Sequence, residues 1–247
     1  MTVAQQVASR NALQRLQTQP LLFLQGTPFT AGQLAGNDTI ATQLSFALHN
    51  GAARMGPQAF LAATHPVGTH IHQVDAYATP MRNAVVGPAR TAATARFAPG
   101  AGPGLWVTTR QTGCSVLVVD WGAALSMVHL QPFPPGAFRW PLRKLMGLSN
   151  YALRETRRYS LQAELSTVVA NSRVGGQEPL RYILVQSNWA QNYLGVTGVR
   201  NAVGVWEFFL QEYTAANAVV NAVQLNWTPW RHWGRLFAGV IYNASAY

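Results

Sequence analysis

The spacing of apolar and polar positions changes about a hundred residues into the chain. Up to there the pattern reads as helical and loop-rich. Ala8, Ala12, Leu13 and Leu16 fall on one side of a helix over residues 4–17. Ile40, Leu44 and Leu48 recur at every fourth position, which predicts a helix capped by Asn37 or Asp38, running to about His49 and closed by Gly51. Residues 57–63 predict another short helix, and His70 to Tyr77 alternates as a strand. Pro99-Gly-Ala-Gly-Pro-Gly104 then breaks the chain. Beyond it, Leu105–Thr109, Ser115–Asp120 and Leu125–Gln131 are Val-, Leu- and Thr-rich runs of strand length, and Pro132 to Pro135 ends that meander. A helix is expected near 160–171, with further strands at Tyr182–Gln186, Val205–Tyr213, Val219–Trp227 and Leu236–Tyr242. Together these predict one α+β domain over residues 1–247, a β-sandwich core flanked by helices, with a helical N-terminal region to about residue 65.

Composition narrows the class. Hydrophobic residues are 49% and charged residues 11%, the reverse of a disordered chain. No apolar run is long enough for a spanning helix, and Leu21–Leu24, after Pro20, is too short for a signal-peptide core. The acid-free, Ser/Thr/Gln/Ala-rich start suits a leader read by a non-Sec secretion machine or a transit peptide; a surface helix is the plainer reading. Cys114 is the only cysteine, which rules out an intrachain disulfide and a zinc site built from several thiolates.

The charge is lopsided. Eighteen basic residues face eight acidic ones, and Lys144 is the only lysine. Nucleic-acid binders ordinarily use lysine as well as arginine. Codon bias in a GC-rich genome accounts for arginine over lysine, and a toxin inside a foreign cell also gains by lacking ubiquitin acceptors. Neither explains the shortage of acids. A net charge of +10 steers the chain toward an acidic partner.

The segment from Gln111 to His129 carries the sharpest chemistry. Two β-rich runs flank Trp121-Gly122, which suits a two-residue primed turn. In that register Cys114 stands opposite His129; a four-residue loop over 121–124 would pair Cys114 with Gln131 and keep His129 on the same face. An imidazole beside a thiol can take its proton and later deliver it to a leaving amine. Gly113 permits close backbone approach, so N–H groups near Thr112, Gly113 and Ser115 are oxyanion-hole candidates. The bland alternative is a buried cysteine beside a half-exposed strand histidine.

This segment resembles the catalytic hairpin of the cytotoxic necrotizing factor type glutamine deamidases, a group that includes the Burkholderia lethal factor. That family places a Leu-Ser-Gly-Cys motif at the start of a strand and its histidine on the next strand. Here the motif reads Gln111-Thr112-Gly113-Cys114, with His129 fifteen residues on. The match covers about twenty of the 247 residues, and Gln111 departs from the family pattern. The resemblance implies a toxin or effector, secreted or injected into a host cell, that converts a glutamine of a host protein to glutamate. A Rho-type GTPase or a translation factor is the kind of target implied. Cys114 would attack the carboxamide and His129 would protonate the departing ammonia, with no cofactor. Thr108 would orient His129 through its main-chain carbonyl, by analogy with one branch of the family. Asp120, Gln131 and Asn83 are weaker side-chain candidates for that third role.

Other features lead to competing readings. His65, His70, His72 and Asp75 form a loose cluster, read as a solvated strand rather than a metal site. Thr228-Pro-Trp-Arg-His-Trp-Gly-Arg235 puts Trp230, Arg231 and Trp233 together as a docking patch for a protein partner or a stacking surface for nucleobases. Arg154, Arg157 and Arg158 form one further basic cluster, and Arg139, Arg143 and Lys144 another. The alternatives to a monomeric deamidase are therefore an Arg/Trp-rich nucleic-acid-binding protein and a different Cys–His enzyme, a protease or transglutaminase.

Overall fold

A computed structural model describes residues 3–64, 71–82, 90–131, 150–186 and 192–234, and of residues 150–160 the backbone only. The chain opens with helices α1 (Val3–Thr18) and α2 (Pro20–Gly26). Strands β1 (Phe29–Ala31), β2 (Ile40–His49) and β3 (Ala52–Gly56) follow, then helix α3 (Gln58–Thr64). Next come β4 (His72–Thr79), β5 (Met81–Arg82), β6 (Leu105–Thr108), β7 (Ser115–Asp120) and β8 (Leu125–Leu130). Helix α4 (Asn150–Asn171) precedes β9 (Arg181–Gln186), β10 (Tyr193–Arg200), β11 (Trp206–Tyr213), β12 (Val219–Gln224) and β13 (Thr228–Pro229).

The strands form two sheets. An eight-stranded sheet runs β1-β3-β2-β4-β6-β10-β11-β12, and a five-stranded sheet runs β13-β9-β7-β8-β5. Three apolar clusters set the layers. Leu16, Phe23 and Leu24 of the first two helices pack on Phe46, Met55 and Phe209, one face of the large sheet. Its other face, with Trp106, Val196 and Phe208, packs on Val116, Val118, Met127 and Val185 of the small sheet. The outer face of the small sheet, with Leu117, Val119 and Val128, is covered by Leu161, Leu165 and Val168 of α4. The fold is α+β, a β-sandwich core with helices on both outer faces.

Two expectations fail on physical grounds. The predicted helix from Asn37 or Asp38 to His49 is the strand β2, hydrogen-bonded to β3 on one side and β4 on the other. A repeat of four is also a multiple of two, so Ile40, Leu44 and Leu48 fit both periods; buried Phe46 sides with the strand. Asn50 and Gly51, both at positive φ (48° and 76°), make the hairpin turn into β3 instead of ending a helix. Asp38 is no helix cap either: its carboxylate accepts from Thr39 N, Ala95 N, Thr94 Oγ1 and Arg82. The N-terminal region is therefore helical only in α1, α2 and α3, with strands β1, β2 and β3 between α2 and α3. In α1, Ala12 and Leu16 are buried and Leu13 packs against the core, whereas Ala8 is exposed.

The expected strands at 105–109, 115–120, 125–131, 182–186 and 205–213 are present within a residue or so, and the strand of 219–227 ends at Gln224. The helix near 160–171 begins earlier, at Asn150. Strand β10, unforeseen because Gly195 and Gly198 interrupt its pattern, pairs β11 along its whole length. Pro132–Pro135, the strand expected at Leu236–Tyr242, Arg139, Arg143, Lys144, His65, His70 and Asn83 lie outside the described residues.

Candidate functional site

The hairpin β7–β8 carries both proposed catalytic groups, in the second of the two registers expected. Asp120 pairs with Leu125 and Val116 with His129, which leaves residues 121–124 as the connection, with Trp121 N donating to Ala124 O at 2.8 Å across it. The cause is Trp121. Its indole is 1% exposed, donates to Ser126 Oγ at 2.9 Å and lies beneath the Arg96 guanidinium, so it is core and not turn. Asp120, the last residue of β7, accepts from Gly122 N and holds Arg181 at 2.7 Å, at the end of the strand away from Val116 and His129. Continued one step, this register sets Cys114 across from Gln131 and diagonal to His129, on the face turned toward the large sheet. Ladder diagonals span about 7–8 Å between Cα atoms.

Cys114 enters β7 from a bend at Gly113, whose φ of 80° a side chain would strain. Its thiol is 2% exposed yet lines a cavity of about 560 Å³, together with Thr112, Met81 and Thr109. Sγ lies 3.5 Å from Met81 Sδ and 4.0 Å from Thr112 O. Burial pushes the thiol up to about 11, against smaller lowering effects of the Thr112 hydrogen bond and the Arg90 charge. Arg90 is itself buried, paired with Glu164 and donating to Gln131 O.

His129 is fully buried, and burial pushes its pKa down to about 3, so its ring is neutral. Its tautomer follows from the hydroxyls around it. Thr108 Oγ1 donates to Thr79 O at 2.8 Å, a carbonyl that can only accept. Its lone pair therefore accepts from His129 Nδ1–H, also at 2.8 Å, and Thr109 Oγ1 at 3.1 Å takes the weaker share of that N–H. Nε2 then carries the lone pair and has no hydrogen-bond partner among the described residues. Thr108 orients His129 through its hydroxyl, where its main-chain carbonyl was expected.

Beyond Thr108 the support is a buried polar relay. Trp106 Nε1 donates to Thr79 Oγ1 at 2.7 Å, and Thr39 Oγ1 donates to Met127 O at 2.9 Å. The 2.8 Å contact between the two hydroxyls therefore runs from Thr79 to Thr39. The relay ties β4 and β6 of one sheet to β8 of the other, beside His129. Thr79 and Met81 carried no sequence signal, and Thr109 carried only its place beside Thr108.

The remaining expected residues fall into distinct places. Thr112 is on the cavity wall, and so is Gln131. Ser115 is buried on the opposite face with no partner for its hydroxyl among the described residues. The Gln111 carboxamide is fully buried and unpartnered in the same sense, while its backbone pairs with Leu194. Trp230 and Trp233 stack on each other at 4.9 Å and meet Tyr182 edge-on, and Trp233 Nε1 donates to Ser166. They anchor the segment after β13 to β9 and α4; Arg231 beside them is exposed. His72 is half-buried and Asp75 exposed on β4, and no group of metal-ligating side chains occurs among the described residues. No helix among the described residues is long and apolar enough to cross a membrane.

No protein-family model and no curated protein matches the chain. Among solved structures, the crystal structure of the C-terminal domain of CNFy from Yersinia pseudotuberculosis is similar at 11% identity and a TM-score of 0.40. That comparison covers 91% of this chain and 99% of that one.

Proposed function

We propose that the chain is a thiol amidase that deamidates a glutamine side chain of a host protein, as a secreted or injected bacterial effector. One observation carries the reading. The only cysteine lines a cavity, on the same face of one hairpin as a histidine whose Nδ1–H is held by Thr108 and whose Nε2 lone pair is uncommitted. A general base at Nε2 requires that tautomer.

In the resting state both groups are neutral, so the reaction begins when a carboxamide enters and displaces the Met81 side chain from the sulfur. Sγ attacks the carboxamide carbon while its proton passes to Nε2. The C–N bond breaks, the nitrogen takes that proton and leaves as ammonia, and a thioester remains. Water, losing its proton to Nε2, adds to the thioester carbon. The C–S bond then breaks, the proton returns to sulfur, and the product is glutamate. The Arg90 charge favours the thiolate as it forms. The cationic surface matches a target with an acidic face.

The test is mass spectrometry of host proteins after incubation with the chain, scoring Gln-to-Glu conversion at individual sites. Cys114→Ser and His129→Gln should abolish it while the fold is retained. Conversion that survives Cys114→Ser refutes the reading; chain cleavage or amine incorporation in place of conversion moves it to a protease or a transglutaminase.

A further inference from the structure

The Cys114 cavity carries cationic side chains that the deamidation chemistry leaves unused. Arg54 of β3 and Arg110, four residues before Cys114, both line it, and no carboxylate does. Neither forms an ion pair with a carboxylate among the described residues. Four other arginines are paired in that way: Arg82, Arg90, Arg173 and Arg181. Arg110 is exposed and held in place over the Tyr193 ring at 4.5 Å. Arg54 is half-buried and paired in register with Thr30 and Ala47. Burial raises the pKa of Tyr213, and the charges of Arg110 and Arg54 both oppose that rise, so the two guanidiniums sit within Coulombic range of one phenol.

A second cavity, of about 340 Å³, shares Arg54 and Asn217 with the first and also has no acidic residue in its wall. The two share a wall at Arg54 and Asn217, and the second extends to the Asn50–Gly51 turn. A recess walled by one sign of charge concentrates the opposite sign within it.

We propose that this recess selects a protein segment in which a carboxylate lies beside the target glutamine, held between Arg54 and Arg110 while the carboxamide reaches Cys114. The placement of the carboxamide rests on the reading of Cys114 as an amidase nucleophile. A peptide fits better than a nucleic acid. Phosphate backbones are met by rows of cations and stacking platforms, whereas here two arginines flank one thiol. Trp230 and Trp233 are spent on each other and on Tyr182.

The experiment compares alkylation of Cys114 by anionic iodoacetate and neutral iodoacetamide, followed by intact mass at mildly alkaline pH. In R54Q/R110Q the iodoacetate-to-iodoacetamide rate ratio should fall about tenfold or more. In Arg10→Gln, on α1 and outside the cavity wall, it should stay as in the unmodified chain. Arg110 is exposed and Arg54 half-buried, and matching thermal melts confirm that the fold is retained. An unchanged ratio in R54Q/R110Q overturns the proposal. A glutamate-rich peptide should protect Cys114 from iodoacetamide; protection by an oligouridine of equal charge and not by the peptide also overturns it. A glutamine peptide library with acidic or neutral flanks separates the two readings. Deamidation without acidic preference overturns this proposal and leaves the amidase standing. A lowered ratio with peptide protection but no deamidated peptide supports the carboxylate site and counts against the amidase.

Discussion

His129 makes a quantitative prediction about acid stability. Its ring is fully buried, touches the uncharged hydroxyls of Thr108 and Thr109, and titrates at about 3 instead of the ordinary 6.5. Between those values the unfolded chain holds a proton that the folded chain refuses. Stability therefore rises with pH through this window and is lost as pH falls from 6.5 toward 3. At pH 5 the histidine should have cost about 2 kcal/mol relative to pH 7, and by pH 3 of order 4 kcal/mol. Carboxylates titrate in the same range, so the measurement is a difference. Urea unfolding of the unmodified chain and of His129→Asn is followed at pH 7, 6 and 5, with the unfolding slope checked for constancy. The variant has lower stability at pH 7, having lost a buried hydrogen bond, but its pH profile should be flatter by about 2 kcal/mol between pH 7 and 5. Parallel profiles would refute the reasoning, because they would mean that His129 accepts its proton inside the fold.

Three more predictions follow from the same contacts. Thr108→Val keeps the shape but removes the shorter of the two hydrogen bonds at His129 Nδ1 and the hydroxyl bond to Thr79 O, leaving only the 3.1 Å contact with Thr109 Oγ1, and should cost about 1–3 kcal/mol in urea unfolding; Thr108→Ser should recover most of it, and imidazole nitrogen NMR should show a larger share of the Nδ1–H tautomer with Ser than with Val. Alkylation of native Cys114 at pH 7 should lag a thiol of ordinary pKa by about a hundredfold, the two pH units of its shift, and should accelerate in Met81→Ala, read as the rate of mass gain. Arg82→Met should destabilise by about 3–5 kcal/mol, since the buried guanidinium donates to Asn37 O, Ala92 O and Ala93 O and pairs with Asp38.

Much of the C-terminal half was legible because its signals are local. Val116 to Val119 and Leu125 to Leu130 are β-rich on both faces, as strands buried on two sides must be, and the cavity of Cys114 lies where the motif begins. Near the N-terminus the signal was ambiguous in itself. A four-residue apolar repeat serves either period, and the Asn50–Gly51 turn that decides it was available to a reading that weighed hairpins first.

By itself the sequence determined the class of fold, the position of most strands, and the presence of one cysteine and one histidine on the same face of a hairpin. Those follow from side-chain periodicity, which acts over a few residues. Only the tertiary structure decided the register, because the burial of Trp121 between the sheet and its helix moves the turn beyond it, with Trp121 N bonded to Ala124 O. Only it brought Thr108 of one sheet against His129 of the other, and so assigned which imidazole nitrogen is free. Arg54 and Arg110 share a wall although fifty-six positions separate them, for β3 and the approach to Cys114 converge on one cavity only when the sheets are stacked. Local pattern chooses elements; the contacts that tune a pKa or gather like charges are made between elements, where the sequence carries no spacing to read.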